Sequence, residues 1–512
     1  MGKSLLRSTA LVSAMTSLSR ILGFMRDMLV AQLFGATPAI DAFYVAFRVP
    51  NFMRGLFAEG AFAQAFVPVL SEYRRLRSVD ETRLFIQHMQ GSLLLALSLV
   101  MVVVLLFTPA ITSLFAPGFI QDPQRFALTT EMLRITFPYL MLISLTAFYG
   151  SVLNTYGMFG VASFTPVLLN VIMIAAALWL APYFNVSVMA LAWGVLIAGI
   201  CQFIFQLPFM YLKGLLFWPR FLWRDEGVKR VMKLLVPALF GVSVAQISLL
   251  IDTLFASFLP TGSITWLYYA NRLAYFPLGI FGVALATVIL PHLSRRYAEK
   301  SSEEFSKAMD WALRCILVIA IPSAVGLYTL AIPLFITLFQ YGHFHLKDAL
   351  MSGYALQAYA LGLPAFMLVK VLASGFYSRQ NIKTPVRIAV LALVVNMLLN
   401  FALIGPLKHV GLALASTLSS TLNAGLLFIY LIISGAFARQ RGWVIYLMRL
   451  LGAGAVVCGL MLWLSPAATV WNLWSWQHRV TQLLFLLLLA VVAYFACLAA
   501  SGLRVKDFRL AN

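Results

Sequence analysis

Runs of roughly twenty apolar residues follow one another from residue 8 to residue 502, with short polar turns between them. About twenty residues is the helix length that crosses the hydrocarbon core of a bilayer. Backbone in lipid must satisfy its own N–H and C=O groups, so such runs close as α-helices or as strands of a sealed barrel. These runs are continuously apolar and do not alternate, which excludes the barrel. They divide into about fourteen spans, near residues 8–31, 40–70, 88–114, 130–153, 163–184, 187–211, 232–258, 264–293, 310–338, 350–376, 385–404, 410–433, 443–464 and 480–502. Composition agrees: 62% of residues are hydrophobic and 11% charged, against about 25% charged in soluble domains. The fold class is an all-α polytopic membrane protein.

A formal charge of +20 would suit a nucleic-acid partner, but its distribution does not. Counted alternately from the N-terminus, one set of loops carries the basic groups, among them Arg74, Arg75, Arg77, Arg83, Lys213, Arg220, Lys229, Arg230, Lys233, Arg295, Arg296 and Lys300. The other set has only Arg125, Lys347, Lys408 and Arg479. That asymmetry is the positive-inside pattern and predicts cytoplasmic termini with an even number of spans. No nucleic-acid partner is implied.

Several charges stand inside the spans. Arg20, Arg26 and Asp27 lie in the first, and Asp41, Arg48, Arg54 and Glu59 in the second. Span 7 adds Asp252 and Gln246, span 8 Arg272, and span 10 Lys370 with Ser374 one turn on. A mid-bilayer Arg or Asp costs about 2.5–3.5 kcal/mol, so the first two spans alone would cost on the order of 10 kcal/mol if they faced lipid. A hydrated, protein-lined cavity is therefore expected. On an ideal helix Arg20, Gly23 and Asp27 share a face, as do Asp41, Arg48 and Glu59, with Arg54 rotated away and a kink or break expected at Pro50 and Gly55. Basic groups outnumber acids in this set, and guanidinium forks match phosphate oxygens at any cellular pH. An anionic ligand follows, held by the arginines and by Lys370, with Asp27, Asp41, Glu59 and Asp252 orienting them or gating access. Ion pairing within the fold is the alternative for Arg26 with Asp27, and snorkelling for Arg54.

The chain also resembles itself. A shift of about 224 residues lays Tyr44-Val-Ala46-Phe-Arg48 on Tyr268-Tyr-Ala270-Asn-Arg272, and Pro109, Leu114, Phe115 and Gly118 on Pro333, Leu338, Phe339 and Gly342. Small insertions bring Asp27 onto Asp252 and Pro68 onto Pro291. Six spans per copy give both copies one orientation, the arrangement of paired transporter lobes. The expected domains are an N-lobe over 1–212, a basic cytoplasmic linker over 213–233, a C-lobe over 234–436, and spans 13 and 14 with a cytoplasmic tail over 437–512. Trp463, Trp471, Trp474 and Trp476 mark an interfacial belt beside those last spans. The appended pair is read either as a groove for an acyl or prenyl tail or as simple stabilisation.

No catalytic or metal constellation emerges. Cys201, Cys315, Cys458 and Cys497 lie in apolar sequence without ligand spacing, and the six histidines form no paired motif. No cofactor and no enzymatic activity are expected. The first span has no small-residue cleavage site and carries Arg20, Arg26 and Asp27, so it reads as a retained helix.

The segments SRILGFMRDMLVAQLFGA, TPAIDAFYVAFRVPNFMRGLFAEGAFAQAFVPVLSEY, ASFLPTGSITWLYYANRL and VLASGFYSRQNIKTPV closely resemble the MurJ (MviN) lipid II flippase family of the MOP (MATE-like) exporter superfamily, and the likeness spans essentially the whole chain. The resemblance implies a fourteen-helix bacterial inner-membrane protein of two lobes. It would move lipid II, the undecaprenyl-pyrophosphate-linked disaccharide-pentapeptide, from the cytoplasmic to the periplasmic leaflet, with the cell-wall synthesis machinery as a further partner. The family's cavity residues map onto Arg20, Arg26, Asp27, Asp41, Asn51, Arg54, Glu59 and Arg272, with Lys370 as a further member. Relatives often carry Lys where Arg48 stands and Asp where Asn271 stands. Some bind sodium through acids on spans 7 and 11, and span 11 here offers Asn396 and Asn400 instead. Set against the flippase are a MATE-like cation-coupled exporter of small molecules, which would want surplus acid in its spans, and a non-transporting scaffold for cell-wall enzymes.

Overall fold

The computed structural model describes residues 2–57, 61–222, 225–438, 440 and 442–503. Every regular element among them is helical, and they fall into two compact units, Met1–Ile264 and Thr265–Asn512. The first unit holds α1 (Gly2–Phe34), α2 (Pro38–Phe57), α3 (Ala61–Leu76), α4 (Val79–Leu106), α5 (Thr108–Phe115), α6 (Pro123–Thr136), α7 (Tyr139–Thr155), α8 (Phe159–Ala175), α9 (Met189–Leu212) and α10 (Glu226–Ala256). The boundary falls in the first turn of α11 (Ser263–Pro277). The second unit continues with α12 (Val283–Ala298), α13 (Ser302–Thr329), α14 (Ala331–Leu338), α15 (Leu346–Tyr377), α16 (Lys383–Ile433), α17 (Trp443–Leu464), α18 (Ala468–Leu473) and α19 (Trp476–Ala500).

Local sequence sets where these helices begin. Ser78 caps α4 in a reciprocal box: its hydroxyl accepts from the Glu81 N–H at 3.2 Å, and the Glu81 carboxylate accepts from the Ser78 N–H at 2.9 Å. Asp122 caps α6, ahead of Pro123, by accepting from the Arg125 N–H at 3.1 Å. Asp225 does the same for α10 through the Val228 N–H at 3.0 Å. Pro138 separates α6 from α7 inside one membrane-length stretch, so that Tyr139 opens a new helix there.

Among the described residues, ten helical stretches are long and apolar enough to cross a membrane. One of them, Lys383–Ile433, turns at Lys408 (φ 51°, ψ −130°), where the sequence predicts a loop between two spans. Just past the turn Gly411 is needed, because a Cβ there would stand 2.4 Å from the Leu403 carbonyl oxygen. The charged helices α1, α2 with α3, and α10 cover the remaining expected spans, so the pattern is compatible with fourteen.

In the first unit Phe62, Phe66, Phe85, Phe148 and Tyr149 form a buried aromatic cluster, with Phe66 and Phe148 5.1 Å apart. Lipid tails are as apolar as these rings, so close packing and not water exclusion holds such a cluster together. In the second unit polar clamps fix α17 to α13 and α19 to α14. Asp310 accepts from Arg314 Nε at 2.6 Å and from Trp443 Nε1 at 2.5 Å, and the Tyr446 hydroxyl donates to the Arg314 carbonyl at 2.7 Å. Arg479, almost wholly buried, donates to the carbonyls of Trp471, Ile336 and Asn472 at 2.9–3.1 Å.

Candidate functional site

Arg26 and Asp27 are both buried in α1, and the arginine folds sideways onto its neighbour. Its Nε and Nη2 donate to Asp27 Oδ1 at 3.1 and 2.6 Å, while Nη1 donates to Asn170 Oδ1 of α8 at 3.1 Å. Asn170 is itself fixed, donating to the Ser19 carbonyl at 2.9 Å. The guanidinium is thus oriented by one acid and one neutral amide. Gly23 shares the buried face of Asp27, whereas Arg20 is exposed.

On α2 the helix continues through Pro50, where a kink or break is expected from sequence, and ends at Phe57, two residues past Gly55. Proline has no N–H for the carbonyl four residues back, and that carbonyl, on Ala46, accepts instead from the Thr136 hydroxyl of α6 at 3.3 Å. The side chains beyond and before the proline therefore keep helical phase. Arg54 is half-buried, and its Nε donates to Asn51 Oδ1 one turn back at 2.9 Å. Arg48 donates to the hydroxyl of Thr253 on α10, beside half-buried Asp252. Gly55 lets α10 approach, since a Cβ there would meet the Gln246 amide at 2.9 Å.

Asp41 stands at the other end of α2 and is completely buried. It accepts from Arg125 Nη2 at 2.6 Å and from the Gly262 N–H at 2.7 Å. Gly262 has φ 93°, a conformation open to glycine and strained for other residues, which aims its N–H at the carboxylate. Arg125 is held from below by the Phe119 ring, 4.2 Å from its guanidinium carbon. A second tie joins the same two loops: the Gly118 N–H donates to Ser257 Oγ at 3.0 Å. Asp41 and Arg48, seven residues apart on α2, meet different elements, Asp41 the Gly262 loop with Arg125 and Arg48 the Thr253 hydroxyl of α10.

In the second unit Arg272 lies on α11 and Lys370 on α15, both exposed. The Ser374 hydroxyl donates to the Lys370 carbonyl at 3.0 Å, a backbone contact. On α16 the Asn400 amide donates to Asn396 Oδ1 at 3.2 Å, and Asn396 donates to Ser416 Oγ at 3.4 Å. Among the described residues no three His, Cys, Asp or Glu side chains gather as a metal site. Glu59 lies outside the described residues.

Three partners of the charged groups are not foreseen from the sequence. Asn170 stands in an apolar run, and a lone amide in a span is the one signal that marks it. Thr253 adjoins Asp252 without a motif. Arg125 reads as a loop residue, although the Asp122-Pro123 helix start fixes where its side chain begins.

Membrane-length helices that hold arginines against neutral amides, hydroxyls and a buried acid make this a multi-span membrane protein. The family model described as lipid II flippase MurJ matches residues 30–489. The chain is 45% identical to the probable lipid II flippase MurJ of Vibrio cholerae serotype O1, over all of this chain and 99% of that one. A solved structure of a lipid II flippase MurJ in an inward closed conformation aligns with a TM-score of 0.80 at 26% identity, covering 96% of this chain and 100% of that one. An inward-facing MATE multidrug transporter of the MOP superfamily aligns with a TM-score of 0.70 at 14% identity, over 83% and 98% of the two chains, a likeness of fold alone. The chain belongs to the lipid II flippase MurJ family.

Proposed function

We infer that this protein carries lipid II from the cytoplasmic to the periplasmic leaflet of the bacterial inner membrane by alternating access, for cell-wall biogenesis. The observation that carries the reading is the pair of oriented guanidinium groups, Arg26 against Asp27 and Asn170, and Arg54 against Asn51, within a chain of this family. A guanidinium fork offers donors only, and a pyrophosphate offers acceptors only, so each side meets what the other lacks. Arg20, Arg48, Arg272 and Lys370 add positive charge on the path, and Asp27, Asp41, Glu59 and Asp252 orient or gate. In this reading residues 1–212 and 234–436 act as two lobes joined by 213–233, and the polyprenyl tail rides along the spans of 437–512. No bond is made or broken, so the protein is not an enzyme. Both termini face the cytoplasm, as the basic loops require.

Depletion of the protein followed by measurement of lipid II in the outer leaflet tests the assignment. Arrival should stop, and lipid II should accumulate on the cytoplasmic side; unchanged arrival overturns it. A MATE-like exporter would instead move cationic compounds with sodium or protons, and the excess of arginine over acid in the spans speaks against that cargo.

A further inference from the structure

Gln202 and Gln206 stand one turn apart on α9, each 1% exposed, inside a stretch long and apolar enough to cross the membrane. Both reach across to one residue of α8. Gln202 Nε2 donates to the Thr165 carbonyl at 2.9 Å, and Gln206 Nε2 donates to Thr165 Oγ1 at 3.1 Å. These contacts settle which way each amide points. A carbonyl only accepts, so Gln202 must turn its nitrogen to it. The Thr165 hydroxyl gives its proton to the Val161 carbonyl at 3.1 Å, so Gln206 must donate as well. Both Oε1 atoms are therefore turned away from Thr165, and each is buried with no donor among the described residues. The backbone beside them is short of donors too, because Pro166 has no N–H for the Ala162 carbonyl four residues back. Helix α7 closes the third side at Gly150, where a Cβ would stand 3.3 Å from Ala162 Cβ and 3.6 Å from Gln206 Nε2.

We propose that a water molecule binds between α8 and α9 at this turn, donating one hydrogen bond to Gln202 Oε1 and the other to Gln206 Oε1. An unmet buried oxygen is costly where lipid excludes bulk water. Side chains four apart on a helix have Cβ atoms about 5–6 Å apart, a gap that one water with two hydrogen bonds of about 2.8 Å can bridge. Each glutamine amide carries two N–H groups and Thr165 takes one, which leaves each a second N–H to offer the water oxygen. That gives the water the set of about three partners usual for a buried one. A metal cation would meet the same two oxygens but cannot accept from an N–H, so the mixed set of donors and acceptors selects water. The place matters to the helix that carries it. One turn beyond, Asn170 Nδ2 donates to the Pro166 carbonyl at 3.2 Å while its Oδ1 takes Arg26 Nη1. The water thus braces the stretch of α8 from which Asn170 holds Arg26, and its binding does not depend on what Arg26 itself binds.

The test is a crystal structure of the full-length protein grown from a lipid phase, with sodium and potassium replaced by rubidium. The map should show a peak at hydrogen-bond distance from both Oε1 atoms, without anomalous signal. A dry gap, in a map that shows ordered water elsewhere, overturns the proposal. An anomalous peak at the same spot also overturns it, because the occupant is then a cation. Gln202→Met and Gln206→Met each keep the side-chain length and remove the oxygen. Either change should abolish the peak, and a peak that survives in either variant shows that no water bridges the two side chains. Should the methionine variants fail to fold, solid-state NMR of the wild type with isotope-labelled glutamine decides the matter. Polarisation should pass from water to the side-chain amides of Gln202 and Gln206 as fast as to that of exposed Gln477, and much slower transfer overturns the proposal.

Discussion

Asp41 and Arg125, 84 residues apart, meet in a 2.6 Å ion pair in which the carboxylate is fully buried and the guanidinium nearly so. The same carboxylate oxygen takes the Gly262 N–H, so one acid ties the start of α2, the start of α6 and the loop before α11. Removing one member of a buried pair leaves the other charge without compensation, at about 3–5 kcal/mol. Asp41→Ala or Arg125→Ala should therefore lower the thermal midpoint of the purified protein sharply. A double replacement by apolar residues of similar size should recover much of the loss. Additive losses in that cycle would show that the two side chains act separately.

Arg54 and Arg48 should differ in their tolerance of lysine. Arg54 uses its Nε on Asn51 and offers its remaining donors elsewhere, a planar arrangement that an ammonium cannot copy. Arg48 donates to the hydroxyl of Thr253, a contact that an ammonium can also make. Arg54→Lys should lose about tenfold or more in pyrophosphate affinity and fail to support growth when it is the only copy. Arg48→Lys should support growth. Equal behaviour of the two variants would contradict the assignment of roles.

Arg479 should be required for the attachment of α18 and α19. Arg479→Ala strips three backbone carbonyls of their donor in a buried place, and each unmet group costs about 1–3 kcal/mol. Limited proteolysis should open the segment around Trp471–Trp476 first, while the first unit stays resistant. Cleavage that begins in the first unit would contradict this.

The start of α4 should loosen in acid. Hydrogen bonds from the Ser78 N–H and hydroxyl hold the Glu81 carboxyl below its ordinary pKa, and this exposed group lies in the first turn of α4, ahead of the apolar run expected from residue 88. A depressed folded pKa contributes stability that is full above the unfolded value, near 4.3, and is lost as pH falls through the folded one. Amide exchange in the first turn of α4, corrected for its intrinsic pH dependence, should therefore rise below about pH 4. Glu81→Gln should remove the pH dependence.

The spans and the charged residues inside them are legible in the sequence, because burial in lipid is a property of each segment alone. A run of twenty apolar residues has one affordable backbone state, and the count of Lys and Arg in its flanking loops is local too. Helix starts at Ser78, Asp122 and Asp225 rest on signals within four residues, but the apolar runs alone begin later, near 88, 130 and 232. The partners of the charges rest on no such signals. Periodicity places Asp41 and Arg48 on one face of α2, but Arg125, Thr253 and Asn170 come from helices whose rotation and depth no local pattern specifies. Pro50 makes the point most directly: sequence predicts a kink or break, and the helix continues with the Ala46 carbonyl, left open by the proline, accepting from Thr136, 86 positions on. Only the packed helices bring such side chains within hydrogen-bond distance, because a donor 2.6–3.3 Å away depends on how every element between them is stacked.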